Sequence, residues 1–244
     1  MFDSPDPRRA VTGGNVRVCA YCKSPGPLTR EEIFPKFLSE KVGYTTFVDQ
    51  TRDGAVFGPV TVRDVCSQCN GVRLSELDNY VASLYRDYFS KPVDAPVDIL
   101  FQYNYHLLTR WLLKAFYNSA RARRGNGPSR DLFEKNVPYI LGERDDPCIP
   151  TLVSVGVTTS SVASETEKAL GMPSVFHPFV HKFGDLGFCG SRVADAVVLS
   201  QFLSINSFSF IFVGFSDVIE APDRAEITKG LNEVWLSKVA VKRA

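Results

Sequence analysis

The spacing of hydrophobic residues predicts two amphipathic helices in the first half of the chain. The first is expected from Asn70 to Tyr88, where apolar residues recur mostly every three or four positions: Val72, Leu74, Leu77, Tyr80, Val81, Leu84 and Tyr85. The second is expected from about Asp98 to Arg124, with an apolar stripe formed by Leu100, Tyr103, Leu107, Leu108, Trp111, Leu112, Ala115 and Phe116. The segment Gly125-Asn126-Gly127-Pro128 ends the second helix.

The segment before the first helix has a mixed pattern. Thr29 can cap a short helix from Glu31 to Glu40, with Pro35 in its first turn or breaking it. Strand character then extends from Thr45 to Val65, with a turn signal at Asp53-Gly54. We therefore expect a short helix followed by strands ahead of the first long helix.

The second half of the chain is richer in strand patterns. A strand is expected from Thr151 to Val157, a hairpin of Val197–Leu203 and Ser207–Phe215 around Ile205-Asn206, and a closing helix from Pro222 to Leu236. Alternation within the hairpin should place three rings on one face, those of Phe208, Phe210 and Phe212. Helices followed by antiparallel strands indicate the α+β class.

Composition narrows the class of protein. Of the 244 residues, 44% are hydrophobic and 23% are charged, which is typical of a folded globular protein. No apolar run is long enough to span a membrane, so no membrane partner is expected. The polar N-terminus lacks the apolar core of a secretory signal, and we expect a cytoplasmic protein.

Six cysteines are present, and four of them form two C-x-x-C pairs. Cys19 and Cys22 are separated by 43 residues from Cys66 and Cys69. Two thiolates three positions apart on a tight turn converge on one metal ion, and two such pairs complete a tetrahedral Cys₄ site. Such a closed site leaves no coordination position for a substrate. The pattern therefore predicts a structural Zn²⁺ that supports folding.

The sequence around these cysteines reads C-A-Y-C-K-S-P-G-P-L-T-R-E-E-I-F-P-K-F-L and then V-C-S-Q-C-N. It resembles HNH endonucleases of the zinc-finger type, which typically have C-x2-C, then Glu-His or Asp-His followed by Ile-x-Pro, then C-x2-C-N. The resemblance covers about Val18 to Tyr85. It extends more loosely to W-L-L-K-A-F-Y-N-S-A-R-A in the second predicted helix.

This resemblance implies a ββα-metal, treble-clef-like zinc finger and cleavage of phosphodiester bonds in nucleic acid, with DNA expected. Glu31 matches the carboxylate and Asn70 the helix-start residue that would hold a catalytic Mg²⁺ or Mn²⁺. Ile33 and Pro35 match framework positions. Members of the family commonly act in phage defence or on mobile elements, and such a role is the corresponding expectation for this chain.

One position departs from the family pattern. Glu32 stands where the resemblance places the catalytic His, and the three histidines of the chain all lie outside the finger. A His titrates at about 6.5 and suits general-base catalysis at neutral pH, whereas a solvated Glu titrates at about 4.3 and is a weaker base. No Asn lies between Glu32 and Cys66 to orient a base.

Three interpretations of the Glu31-Glu32 pair follow. In the first, Glu32 acts as the base or as an additional metal ligand and the protein is an active endonuclease. In the second, catalysis has lapsed and the finger binds nucleic acid or a protein partner. In the third, the two carboxylates are first-turn residues that stabilise a helix N-terminus through the helix dipole.

The second predicted helix carries a local excess of positive charge, although the whole chain has a net charge of only +1. No Asp or Glu occurs between Phe101 and Arg130, and the candidate nucleic-acid-binding residues are Arg110, Lys114, Arg121, Arg123 and Arg124. Arg110, Lys114, Asn118 and Arg121 should form one row, since they lie at i, i+4, i+8 and i+11. Such a row can follow phosphates by charge, or it can be an ordinary solvated helix face.

The expected organisation therefore has four parts. Residues 1–16 form a flexible arm, 17–90 the HNH-like zinc-finger domain, 91–130 a linker and the long basic helix, and 131–244 a C-terminal α+β domain with antiparallel strands. The sequence assigns no role to the last part, and a protein partner that binds there is one possibility.

Overall fold

The computed structural model describes residues 17–38, 45–49, 52–56, 60–93, 99–122, 128–157, 182–185, 197–215, 225–226, 229 and 241–243. Within these ranges the chain is a mixture of helices and mainly antiparallel strands, which confirms the α+β class. The predicted arm at residues 1–16 and most of the predicted closing helix from Pro222 to Leu236 lie outside the described residues.

The cysteine pairs are joined to a two-stranded antiparallel hairpin. Strand β1 (Leu28–Glu32) pairs with β4 (Thr61–Cys66), and a bulge interrupts the register between them. Strands β2 (Thr45–Asp49) and β3 (Arg52–Val56) form a second hairpin between them in sequence. The prediction of a turn at Asp53-Gly54 was wrong, because these residues lie inside β3, opposite Val48 and Phe47.

The prediction of a helix from Glu31 to Glu40 was wrong at its start. Glu31 and Glu32 belong to β1, and only residues 36–38 are helical in the described part of that segment. Antiparallel pairing with β4 overrides the local helix signal, since the preference of a segment for a strand depends on the strand with which it pairs. The interpretation of these two acids as first-turn residues of a helix is therefore also wrong.

The first predicted helix is confirmed. It consists of α1 (Ser75–Leu84) flanked by two π-helical turns, Cys69–Leu74 and Tyr85–Phe89. It buries Leu74, Leu77 and Val81, which are three of the predicted apolar positions. Because β4 ends at Cys66, the chain passes from the hairpin almost directly into this helix, and the order β1–β4–α1 results.

The second predicted helix begins later than expected. Phe101–Tyr103 forms a short strand, β5, and the helix α2 extends from Tyr105 to Ala122. It is followed by α3 (Pro128–Lys135) and α4 (Val137–Ile140). Nearly every residue of α2 from Leu108 to Ser119 is buried, so this helix lies in the interior of the molecule.

A four-stranded antiparallel sheet follows, in the order β6-β9-β8-β7. Its strands are β6 (Thr151–Val157), β7 (Lys182–Asp185), β8 (Val197–Ile205) and β9 (Phe208–Phe215), and the predicted β8–β9 hairpin is confirmed. Asn206 at the turn has a positive φ of 51°, a conformation that Asn tolerates better than most residues. A short tenth strand, β10 (Val241–Arg243), pairs in parallel with β5.

The sheet and the helices share one hydrophobic core. The rings of Phe208 and Phe210 lie 4.7 Å and 5.4 Å from that of Phe89, and Phe212 lies 5.8 Å from Phe116. The three β9 rings therefore occupy one face, as their alternation predicts. The core is continuous from Cys19 near the N-terminal end of the described chain to Phe212 in the sheet. We call the described residues between 17 and 90 the finger. The domain boundaries at residues 90 and 130 stay predictions, but this core spans both of them.

Candidate metal centre

The four paired cysteines come together at one point. Their sulfur atoms all lie within 4.8 Å of one another, and the Cys22 and Cys66 sulfurs are 3.7 Å apart. Four Zn–S bonds of about 2.3 Å at tetrahedral angles require sulfur–sulfur distances of about 3.8 Å. The donor set and its spacing therefore fit a tetrahedral metal ion such as Zn²⁺.

Local backbone geometry presents each pair of thiols. In the first knuckle, the Cys19 amide donates to the Ser24 carbonyl and the Lys23 amide donates to the Cys19 carbonyl, both at 2.9 Å. Lys23 takes a positive φ of 59° to close this turn. In the second knuckle, backbone amides donate to sulfur, from Cys66 to Cys19 at 3.3 Å and from Cys69 to Cys66 at 3.5 Å. Such bonds stabilise the negative sulfur atoms that a metal requires.

The thiol groups of Cys22, Cys66 and Cys69 have different environments. A hydrogen bond with the Ser24 side chain lowers the pKa of the Cys22 thiol to about 6. Burial raises the pKa of Cys66 and of Cys69. Because a metal binds thiolates, loading the site must release these protons, and affinity should fall as the solution becomes more acidic.

Glu31, the predicted ligand of a catalytic ion, is occupied by an internal partner. Its side chain is only 5% exposed, and its Oε1 lies 2.7 Å from the Nζ of Lys114 on α2. Burial raises the pKa of the Glu31 carboxyl group, and the neighbouring Lys114 ammonium opposes that rise. The carboxylate is thus directed toward α2.

Lys114 holds a second carboxylate as well. Its side chain is 1% exposed, and its Nζ lies 2.7 Å and 2.6 Å from the two carboxylate oxygens of Asp78 on α1. The indole of Trp111 also donates to Asp78, at 3.1 Å. Glu31 and Asp78 therefore converge on a single ammonium group. The ammonium group thus takes the position between two carboxylates that a metal cation could occupy.

The other predicted ligand, Asn70, fastens the helix start to the hairpin. Its side-chain amide donates to the Thr29 hydroxyl and to the Arg30 carbonyl, both at 2.9 Å. Asn70 and Glu31 thus have different partners. Across the described ranges, the cysteine quartet is the one group of three or more His, Cys, Asp or Glu side chains close enough for a metal. The present arrangement of Glu31 and Asn70 does not fit a second ion.

A second polar cluster lies one turn further along α2. Asn118 accepts hydrogen bonds from the Tyr21 hydroxyl at 2.7 Å and from Arg121 at 2.8 Å, and it donates to the Glu32 carbonyl at 3.3 Å. Burial raises the pKa of Tyr21 strongly, so its hydroxyl stays protonated and donates. Asn118 therefore links the first knuckle to the end of β1.

Arg121 completes this cluster. Its side chain is 2% exposed, its Nε lies 3.1 Å from Asp64 on β4, and its guanidinium lies over the rings of Tyr117 at 4.1 Å and Tyr21 at 4.9 Å. Stacking on two rings and pairing with one acid compensate for the burial of the charge. The guanidinium is part of the contact between α2 and the finger.

The predicted basic row on α2 thus lies largely inside the molecule. Lys114 and Arg121 face the finger, and the Arg110 guanidinium donates to the Ile140 carbonyl at 3.0 Å. Arg123 and Arg124 are outside the described residues. A role of this row in nucleic-acid binding stays a prediction, but Lys114 and Arg121 would first have to leave their carboxylate partners.

Sequence reasoning did not identify three members of this network: Asp78, Tyr21 and Asp64. Asn118 was recognised only as part of the row. The row of polar residues on α2 was the signal that could have indicated the network. Its members Lys114, Asn118 and Arg121 adjoin the apolar stripe of a helix that is mostly buried. Charges on a buried helix require buried partners, and those partners had to come from the finger.

Comparisons of the chain with profiles of known protein families, with functionally characterised proteins and with solved structures find no significant match. No helix among the described residues is both long and apolar enough to cross a bilayer.

Proposed function

We propose that this chain is an HNH-like zinc-finger protein that binds nucleic acid, with DNA as the expected ligand, and that it does not cleave by means of a divalent ion at Glu31. The observation that carries the choice between binding and cleavage is the Lys114 ammonium between Glu31 and Asp78. The nucleic-acid ligand comes from the resemblance of the finger to HNH proteins.

The zinc part of the proposal rests on the cysteine geometry. A Zn²⁺ ion would be held by Cys19, Cys22, Cys66 and Cys69 and would supply folding energy rather than chemistry. The order of knuckle, hairpin, second knuckle and helix agrees with a treble-clef-like ββα finger. In this proposal the finger is a scaffold that presents its surface to a ligand.

The charge balance argues against a second ion at Glu31. A divalent cation there would have to displace the Lys114 ammonium, which is almost fully buried and has both of its carboxylate partners in place. Breaking the buried ion pair between Lys114 and Glu31 would cost free energy, even though Asp78 would stay as a partner of Lys114. Metal binding would have to offset that cost before it could contribute to catalysis.

An endonuclease is the second candidate, and one observation favours it. Glu31 and Glu32 lie together at the end of β1, and Asn70 ties the start of the helical segment to that same strand. The resemblance implies this juxtaposition of strand and helix start for a metal-dependent nuclease. In that case Glu32 would take the base position, and Lys114 would move when the ion binds.

Three measurements on the zinc-loaded protein test the proposal. They are binding of a labelled DNA duplex, calorimetric titration with Mn²⁺, and nicking of supercoiled plasmid in Mg²⁺ and in Mn²⁺. We expect DNA binding, no Mn²⁺ binding and no nicking. Glu31→Ala and the exposed-site control Glu76→Ala should behave alike in the last two assays.

The alternatives give different results. Nicking by the parent and by Glu76→Ala, but not by Glu31→Ala, would establish the endonuclease. Failure of the parent to bind DNA would contradict the binding function itself. A parallel titration with an RNA duplex determines which nucleic acid is preferred.

A further inference from the structure

The exposed charges of the finger are unevenly distributed. Residues 17–38 and 60–66 contain the first knuckle and the β1–β4 hairpin. Every exposed charged residue in these two ranges is basic: Arg17, Lys23, Arg30, Lys36 and Arg63. The acidic residues of these segments are Glu31, which is buried, and Glu32 and Asp64, which are partly buried. This part of the surface is therefore positively charged.

Two of these arginines lie on the paired strands of the hairpin. The register pairs Thr29 with Val65 and Glu31 with Val62, so Arg30 lies opposite the bulge formed by Arg63 and Asp64. Glu31, Val62 and Val65 are buried while both arginines are exposed. We call the outward side of β1 and β4 that carries Arg30 and Arg63 the hairpin face.

The hairpin face has little internal neutralisation. Among the described residues, neither Arg30 nor Arg63 forms an ion pair, and the nearest acid in the bulge, Asp64, is paired with Arg121 at 3.1 Å. By contrast, Lys23 is paired with Glu134 on α3. Within the described part of the chain, both guanidinium groups therefore lack an acidic partner.

From these observations we infer that the hairpin face contacts the phosphate backbone of DNA, an inference that rests on the proposed function. A guanidinium suits a phosphate because it can donate two parallel hydrogen bonds to it. Because Arg30 and Arg63 lie on paired strands at the same bulge, both arginines can contact one nucleic-acid backbone. Such contacts position a nucleic acid without reading its sequence.

The hairpin face takes the role that the sequence suggested for α2. The Lys114 and Arg121 side chains are 1% and 2% exposed and are held by acids of the finger. By contrast, Arg30 on β1 and Arg63 on β4 are exposed to solvent. The positive charge offered to a ligand is therefore on the hairpin.

The test compares two double variants of equal charge change. Arg30→Gln/Arg63→Gln removes the hairpin charges, and Arg86→Gln/Lys91→Gln removes two exposed charges at the far end of the first helical segment. Binding of a fluorescein-labelled DNA duplex is followed by anisotropy over a range of salt concentrations. Zinc content and circular dichroism confirm that each variant is folded.

We expect the hairpin variant to bind about thirty-fold more weakly at roughly 0.15 M salt and to lose about two units of the slope of log K against log salt. The Arg86/Lys91 variant should keep the parent slope. Arg30→Lys/Arg63→Lys, which retains the charges, should also keep most of the slope.

The outcomes separate the inference from the proposed function. If the parent binds no DNA, the proposed function fails. If the parent binds and the hairpin variant matches it, or if both charge-removing variants weaken equally, the assignment of the hairpin face is overturned. In the parent protein, DNA should also protect Arg30 and Arg63 from modification by phenylglyoxal. Lack of protection would overturn the assignment without any variant.

Discussion

At the scale of the residue, Lys114 determines what the finger can do. Its ammonium neutralises Glu31 from β1 and Asp78 from α1, and all three come from different elements. Removing one partner of a buried ion pair is much more costly than replacing the pair, because it leaves a buried charge uncompensated. Substitution of Lys114 and substitution of Glu31 should therefore change the free energy of unfolding by different amounts.

The first prediction concerns this asymmetry. Lys114→Met should lower the free energy of unfolding by about 3–5 kcal/mol, because it leaves the buried Glu31 carboxylate without its cation. Glu31→Gln should cost less than half of that, since Lys114 keeps Asp78 as a partner. Urea denaturation of the zinc-loaded proteins measures both values.

A double variant provides the control for this prediction. Glu31→Gln combined with Lys114→Met should be more stable than Lys114→Met alone, because the uncompensated charge is removed. Additive losses in the double variant would show that the two side chains are not coupled in solution.

At the scale of the element, the proposed zinc finger consists of two cysteine knuckles around a short hairpin. The β1–β4 hairpin is short, and the knuckle backbone is shaped to point sulfur atoms at one centre. Binding of a structural zinc ion to zinc-finger peptides contributes about 10–16 kcal/mol, which is comparable to the total stability of a typical domain. Folding of this element should therefore depend on the ion.

The second prediction tests that dependence with a matched pair of cysteines. Cys66→Ser should reduce the zinc content from about one ion per chain to near zero and unfold the finger. Cys148→Ser should keep the ion, because Cys148 hydrogen-bonds to the Lys135 carbonyl outside the cysteine quartet. Elemental analysis and circular dichroism of the freshly purified proteins provide the readout. Full zinc occupancy in Cys66→Ser would exclude the quartet as the site.

At the scale of the whole molecule, the finger and the sheet are not independent. Phe89 ends the first helical segment and contacts Phe208 and Phe210 of β9, while Asn206 in the sheet's turn donates to the Phe89 carbonyl. The helix α2 packs between them, with Phe116 against Phe212. A shared core of this kind favours cooperative unfolding.

The third prediction follows from the shared core. Phe210→Ala should lower the free energy of unfolding by about 3–5 kcal/mol, because it creates a cavity beside Phe89. The urea midpoint for zinc release should shift together with the midpoint for loss of sheet structure. Ser209→Ala on the same strand should shift both midpoints much less. Zinc release that is unaffected by Phe210→Ala would mean that the finger and the sheet unfold separately.

The sequence alone determined the parts of this protein that depend on local pattern. Cysteine spacing predicted the metal centre, because two thiols three positions apart must converge wherever the knuckle forms. Hydrophobic periodicity predicted α1 and most of α2, and alternation predicted the ring face of β9. These signals depend on residues that are close together in the chain.

Only the tertiary structure decided how the charged residues are used. Glu31 was expected in a helix and lies in a strand, because β4 provides a pairing partner, Val62, 31 residues further along the chain. Lys114 and Arg121 were candidates for contacts with phosphates, and in the structure they face Glu31, Asp78 and Asp64. A side chain's charge is local, but its partner is set by long-range packing. The direction of the α2 charges therefore could not be predicted from their spacing.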